Sequence, residues 1–507
     1  MSIQKGNEFF NQGLFEKAAE EYRKVPQSSP LYAQAQFNLS LLEKQYSIPA
    51  HIDTTAFIES DTQDPSLTEY PLISVIMPVF NVASYLPASI ESVLKQSYGN
   101  FELIIINDAS TDNSLDVIKK YQQTDGRIKL INLDFNTLGG AGIPSNIGLE
   151  NATGQYVAFL DSDDMMAEGA LEQMLSTAQK HQTDVVIADF KTFTNGYQQT
   201  QVAYDKDRWN ALPLDQVFSA QQYPEVFRLS PVPWRKLYKT TYLKQYHIQF
   251  PEGDWFYEDN PLHWFVLTTA KRIVLLDYVV AHHRMDRDGQ TMGADSFKLA
   301  AQFCHLNTIK YWLEQQSQVP DVYWQELIDF CYRASWIVDK QTDRQLKVIV
   351  QKRYAQTVLS VIKQSGLPQS LVESLRPNLL DRCQQYTQNY SDKELAIVIP
   401  VYNCVDLIGQ LLEQVSQINL KTEVFIIDDG STDGSYQYCQ QFAQKYPNII
   451  LIQQPNKGAG VARNAIIPLV TAQYTYFVDA DDLIIPQHIE AAYRQAIEHQ
   501  QDLVFGR

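Results

Sequence analysis

PLISVIMPVFNVASYL at residues 71–86 and ELAIVIPVYNCVDLI at residues 394–408 are two copies of one design, and that pairing decides how the chain is read. Four landmarks hold register between the copies: Pro78 with Pro400, Asp108 with Asp429, Asn136 with Asn456 and Asp161 with Asp479, an offset drifting only from 322 to 318. Small loop deletions account for the drift. Each copy opens with a β-branched apolar run, 73–77 or 396–399, expected for a buried parallel strand. The helix predicted next carries an apolar stripe on Leu86, Ile90, Val93 and Leu94, or on Ile408, Leu411, Leu412 and Val415. Second strands are expected at 103–106 and 424–427, each ending in an acidic, small-residue turn. Strand, helix, strand with a right-handed crossover predicts an α/β, Rossmann-like, doubly wound fold whose ligand sits beyond the carboxyl ends of the strands.

At 507 residues the chain is longer than one ordinary domain. Lys plus Arg 41 against Asp plus Glu 59 gives a net charge of −18, the wrong sign for counterion-releasing contact with a polyanion, which argues against nucleic acid as a partner. Hydrophobic residues at 45% with 20% charged fit a folded chain. The start MSIQKGNEFF lacks a basic segment leading into an apolar one, and no window nears the roughly 20 apolar residues of a membrane helix. A cytoplasmic protein is the expectation. Cys304, Cys331, Cys383, Cys404 and Cys439 are scattered without CxxC spacing, which suits reduced, buried thiols and offers no zinc site.

Residues 1–47 read as helical, with Gly6, Gly13, Phe15, Ala18, Ala19, Tyr22 and Pro30 placed roughly as in a tetratricopeptide unit. An ordinary helical hairpin is the alternative. Residues 48–70, polar, acidic and broken by prolines, read as a linker. The first α/β module is assigned to 71–295, a helical connector to 296–390 and the second module to 391–507. The final DLVFGR resembles the strand-like DVVIADF at 184–190, so the second copy holds only the first half of the design.

Neither copy has a GxxxxGK[ST] or GxGxxG loop after its first strand, so a nucleotide would have to be held by other means. The second strands run into NDASTD (107–112) and DDGSTD (428–433), where a carboxylate can accept the imide hydrogen of a uracil while Ser, Thr and the later Asp cap a helix. A mere capping turn is the other reading. Further on, apolar strands lead into DSDD (161–164) and DADD (479–482). Two acids one residue apart at a strand end offer hard oxygen ligands suited to Mg2+ or Mn2+ on a diphosphate, although a single such turn is more often just solvated.

Together, P-V-[FY]-N, [ND]-D-x-S-T-D, an Asn followed closely by Gly, and D-x-D-D resemble the inverting family 2 glycosyltransferases of the GT-A fold. The resemblance covers 71–295 and 394–507, and it implies a nucleotide-sugar donor, usually a UDP-sugar, with Mn2+ or Mg2+. Carried over by motif, Pro78 and Asn81, or Pro400 and Asn403, border the donor; Asp108 and Asp429 contact uracil; Asp161 and Asp479 face the ribose; Asp163 and Asp481 take the metal. The diphosphate-side pattern N-x-G-x-x-x-A-R-N is met in the second copy by Asn456, Gly458, Ala462, Arg463 and Asn464. The first copy departs from it after Asn136, with Ser145 where the arginine would stand. Family members carry an E-D pair whose aspartate deprotonates the acceptor; Glu258 and Asp259 match it as the catalytic pair, and a solvated helix start is the alternative. His283, in VVAHHRMDRDGQT, falls where the family closes over the diphosphate, or is one of two strand-end histidines. Trp234, Trp255, Phe256, Tyr257 and Trp264 form either a stacking wall for a sugar or core.

Two such modules behind a helical prefix resemble the bifunctional bacterial polymerases of capsule and surface polysaccharide. This implies an oligosaccharide or lipid-linked glycan acceptor and peripheral contact with membrane export machinery at the inner membrane. The second copy carries no counterpart of Glu258 and Asp259. An interrupted module is expected there, because a half sheet leaves an apolar edge uncovered. The competing readings are a single-sugar transferase with a regulatory second module, and a non-catalytic nucleotide- or glycan-binding scaffold.

Overall fold

The computed structural model describes residues 17, 70–137, 140–194, 199–253, 257–285, 297–388 and 390–504. The chain divides into Met1–Ser66, of which only Lys17 is described, in a helix, and Leu67–Arg507. The tetratricopeptide-like reading and nearly all of the linker therefore lie outside the described residues.

In Leu67–Arg507 the repeat folds twice. Strands β1 (Ile73–Val79), β2 (Phe101–Asn107), β3 (Ile128–Asn132) and β4 (Tyr156–Phe159) form a parallel block in the order β3-β2-β1-β4. Their side chains are buried almost throughout β1, β2 and β4, as apolar parallel strands covered on both faces require. The predicted stripe of the helix Leu86–Leu94 is buried at Leu86, Ile90 and Val93. Beyond β4 the sheet turns mixed. β5 (Met165–Met166), β6 (Val185–Thr194), β7 (Gln199–Val202), β8 (Lys236–Lys239) and β9 (Ile273–Arg284) extend it, with β8 antiparallel to both β4 and β6, and β9 parallel to β6. The second copy builds β10 (Leu395–Val401), β11 (Thr422–Asp428), β12 (Ile449–Gln453) and β13 (Tyr474–Phe477) in the corresponding order β12-β11-β10-β13.

A buried glutamate staples each block. Glu102 in β2 accepts hydrogen bonds from Ser74 Oγ, Thr153 N and Thr153 Oγ1, while Ser74 Oγ accepts from Gly154 N. Glu423 in β11 accepts from Thr471 N, Thr471 Oγ1 and Ala472 N. These bonds tie the loop before the last parallel strand to the centre of the sheet in both copies, so the carboxylate is desolvated but well supplied with donors.

Helices fill the stretch between the sheets, the longest being Arg344–Ser365, capped by Asp343 Oδ1 on Leu346 N. One face of the second sheet packs on them: Val398, Phe425, Ile427, Ile450 and Ile452 share a core with Val350, Tyr354 and Val358 of that helix. Tyr390 Oη donates to Glu423 Oε2 and Gln356 Nε2 to the Thr471 carbonyl. All five cysteines are free thiols.

Residues 501–504 contain no strand, unlike the expected match to β6, and Leu503 is exposed. β6 is held between β8 and β9, and no strand among the described residues flanks 501–504 in that way. β13 alternates between half-buried and exposed side chains where β4 is fully buried; β4 pairs with β8 on its outer edge, and among the described residues no strand pairs with the outer edge of β13.

Gly148 shows how tightly the first block is packed. A Cβ there would lie 3.0 Å from Ile106 Cδ1 and 3.2 Å from Ile76 Cγ1 in the centre of the sheet. Gly148→Ala should therefore lower stability by about 1–3 kcal/mol through overpacking, read as an earlier urea midpoint for the unfolding step that includes β1 and β2.

Candidate functional site

The two motif turns after β1 and β2 are wired identically in both copies. Asn81 and Asn403 sit at positive φ, 51° and 46°, and each spends its side-chain carbonyl on the facing turn, accepting from Thr111 N or Thr432 N at 2.8 Å. Asp112 accepts from Ala83 N and Asp433 from Val405 N, both at 3.0 Å. Pro78 and Pro400 lie inside β1 and β10, one residue from the strand ends, and Phe80 and Tyr402 stand exposed beyond them. The residue after the first aspartate needs a left-handed backbone: Gly430 supplies it at φ 74°, with no room for a side chain against Asn456 N, while Ala109 adopts φ 52° in the first copy.

Asp108 and Asp429 are buried and clamp the next loop. Asp108 accepts from Thr137 N at 2.7 Å, Thr137 Oγ1 at 2.9 Å and Asn136 Nδ2 at 3.0 Å. Burial raises its pKa despite these bonds. Asp429 accepts from Lys457 N, Gly458 N and Gln454 Nε2. Asn136 and Asn456 thus both lie against the turn that carries the aspartate.

At the end of β4 the chain turns through Asp161, Asp163 and Asp164. Ser89 Oγ, on the helix Leu86–Leu94, donates to the Asp164 carbonyl at 2.6 Å, holding this turn against the first helix. Asp164 is fully buried and accepts from His283 Nδ1 and from Arg284 N, both at 2.8 Å. Burial and the neighbouring Asp164 and Asp163 push the Asp161 pKa well above the ordinary value. Burial opposes the charged form of His283, but Asp164, with Asp161 and Asp163 beyond it, raises its pKa. Arg284 adds a guanidinium from the same strand, its Nε donating to the Asp163 carbonyl at 3.0 Å.

His283 is backed by the indole of Trp234, stacked at 5.1 Å with an interplanar angle of 23°. Trp234 belongs to a buried corner anchored by Arg235 and Asp205, an ion pair of 2.6 Å with both side chains fully buried. Arg235 Nε also donates to the Ala188 carbonyl, and Ser230 N donates to Asp205. Trp264 stacks on Phe227 at 4.2 Å in the core. The stacking-wall reading therefore fails for Trp234 and Trp264, which are 3% and 2% exposed. Trp255 and Phe256 lie outside the described residues.

Glu258 and Asp259 start the helix Asp259–Thr269, entered through Tyr257 at φ 71°. Burial raises Asp259 to a pKa of about 6, and the buried ammonium of Lys236 acts against that rise. Lys236 is itself lowered to about 7 by burial and by Arg235, and its Nζ donates to the carbonyls of Pro231 and Val232. The negative charge of Asp259 is among those that raise the pKa of Asp161. Sequence reasoning missed Lys236, the Asp205–Arg235 anchor and the pinning role of Asp164. The only advance sign of them was the basic-aromatic run at 232–237.

In the second copy Arg463 pairs with Asp479, while Asp481 and Asp482 are exposed. Arg463, Asp479 and Asp482, with Tyr476, Phe477 and Leu483, line an open cavity of about 390 Å³. In the first copy Ser145 takes the arginine's place and is buried.

Among the described residues no group of three or more His, Cys, Asp or Glu side chains is arranged to hold a metal ion unaided. Asp164 is committed to His283 and Arg284. Asp161 and Asp163, half-buried at the same turn, fit a hard cation that brings its other oxygen ligands from a diphosphate and water.

Glycosyltransferase GlyG of Streptococcus pneumoniae serotype 4 is 29% identical over 225 residues, which is 44% of this chain and 73% of GlyG. The poly(ribitol-phosphate) beta-N-acetylglucosaminyltransferase TarS of Staphylococcus aureus is 30% identical over 223 residues, 44% of this chain but only 37% of TarS. The crystal structure of S. aureus TarS 1-349 in complex with UDP-GlcNAc aligns with a TM-score of 0.49 at 22% identity, covering 63% of this chain and 91% of that one. The model of glycosyl transferase family 2 matches twice, at residues 74–234 and 396–507, together more than half of the sequence and one match for each copy of the repeat. The chain belongs to glycosyl transferase family 2.

Proposed function

We propose that the first module transfers a sugar from a nucleotide donor, a UDP-sugar, to a glycan acceptor with inversion, in the synthesis of a bacterial surface polysaccharide. The observation that carries this reading is the acidic turn Asp161–Asp164 at the carboxyl end of the parallel block, held by His283 and Arg284 from β9, with the charge of Asp259 acting on Asp161. Asp259 takes the proton of the acceptor hydroxyl as its oxygen attacks the anomeric carbon. The bond from that carbon to the diphosphate breaks, and its electron pair leaves with UDP. Attack and departure on opposite faces invert the configuration. Asp108 faces the uracil and Asp161 the ribose, while His283 and Arg284 supply positive charge beside the diphosphate. Asp163 would hold Mg2+ or Mn2+, which neutralises charge on the leaving group when bound. TarS, whose name gives N-acetylglucosamine as the sugar transferred and poly(ribitol-phosphate) as the acceptor, supports a UDP-linked amino sugar and a surface polymer as the first substrates to try.

The second module, with the complete Asn456–Arg463 pattern and Asp429 clamping its loop, is read as a second donor site. It is half of a bifunctional polymerase in this reading. A single-sugar transferase with a regulatory second module is the competing reading, separated by product length: a ladder against one added sugar.

A base with a pKa near the working pH is well matched to its task. Ionised Asp259 is required, and its folded value of about 6 lies above the ordinary carboxylate value, so transfer should be lost as pH falls through about 6 and reach a plateau above it. Asp259→Asn should lower kcat by about 10²–10⁴-fold while UDP binding, followed by calorimetry, persists. Full activity in that variant sinks the assignment. UDP titrated with Mn2+ present should fill two sites in the wild type and one in Asp163→Ala or in Asp481→Ala. A wild-type stoichiometry of one removes the second module from donor binding.

A further inference from the structure

The helix Gly142–Asn151 starts where the two copies differ most, and its first turn lacks a side-chain cap of its own. Helix geometry leaves those leading N–H groups without partners. Here they are met from the other half of the module: Glu258 Oε1 accepts from Ala141 N at 2.8 Å, and Gly142 N also donates to that carboxylate. The fit requires glycine beside it. A Cβ on Gly140 would lie 2.5 Å from Glu258 Oε1 and 3.2 Å from its Cδ, and one on Gly142 would lie 3.3 Å from its Cγ. One turn further, Asn146 closes a second clasp, donating from Nδ2 to the Phe250 carbonyl at 3.0 Å and accepting from Phe250 N at 2.8 Å.

We infer that Glu258 is a positioning residue that latches the Asp259 helix onto the donor-side helix Gly142–Asn151, so that the base is held in register with the donor loop. The inference rests on Asp259 being the base. The physical basis is hydrogen bonding from a side-chain oxygen to helix N–H groups that would otherwise lack partners. Because Glu258 directly precedes Asp259, a lost latch frees the first turn of the base-bearing helix. Glu258 does not itself move a proton in this scheme, so a neutral acceptor of the same shape should serve nearly as well.

Three variants test it: Glu258→Ala, Glu258→Gln and Gly140→Ala. Glu258→Ala and Gly140→Ala should each lower kcat by about tenfold, the scale of one lost hydrogen bond, with the UDP dissociation constant little changed. Glu258→Gln should recover most of that loss, and the double variant Gly140→Ala with Glu258→Ala should be no worse than Glu258→Ala alone. Hydrogen exchange at the amides of Ala141 and Gly142 gives a readout free of turnover: faster in Glu258→Ala, restored in Glu258→Gln. Unchanged exchange in Glu258→Ala overturns the latch, and Glu258→Gln as inactive as Glu258→Ala assigns Glu258 to proton transfer instead. If the wild type transfers no sugar from any donor while the exchange pattern holds, the transferase reading fails and the latch stands.

Discussion

Carboxylates crowded into one turn at the end of β4 are the constraint around which the first module is arranged. Asp161, Asp163 and Asp164 repel one another, and Asp164 is fully buried, where a bare charge is expensive. The turn survives because β9 runs past it and delivers the His283 ring and the Arg284 amide to Asp164, with the guanidinium on the Asp163 carbonyl. That delivery fixes much else. β9 must lie beside β6, β6 must pair with β8, and β8 must join the pair to β4, which is why the sheet leaves its parallel pattern there. Trp234, just before β8, then backs His283, and the Asp205–Arg235 pair anchors Trp234. The donor end and the acceptor half are parts of one electrostatic solution.

The second copy meets the same turn by other means. Arg463, from the helix Ala459–Ile466, pairs with Asp479, and Asp481 and Asp482 are left in water. One motif therefore carries two different balances of charge: a buried turn compensated across the sheet, and an exposed turn compensated by its own helix and by solvent.

The parallel blocks were legible because their signals are local and periodic. The buried positions Leu86, Ile90 and Val93, and all four of Ile408, Leu411, Leu412 and Val415, are those the helical spacing selects. The repeat made the acidic turns visible through register alone. What lay hidden was contact between segments distant in sequence. Nothing near Lys236 reveals that it will be buried beside Asp259, and nothing near Asp164 reveals that a histidine beyond residue 280 will take its oxygen. Asn81 and Asp108 were legible as motif residues, but not the hydrogen bonds by which they shape the loops around them. The aromatic run left two readings open because density of rings does not say which are covered; Trp264 stacks inside the core.

The helices that carry Ser145 and Arg463 have different surroundings. In the second copy the helix that bears Arg463 opens on Gly458 and Gly460, around which a Cβ would meet nothing, and the arginine has open space in which to reach Asp479. In the first copy the matching helix is covered. A Cβ on Gly142 would lie 3.4 Å from Phe250 Cβ and from the Pro251 carbonyl, Gly140 faces Glu258, and Ser145 is 3% exposed. A long cation at position 145 would need the volume that this helix gives to the segment carrying Phe250 and Glu258. In the first copy positive charge reaches the acidic turn from β9, on His283 and Arg284.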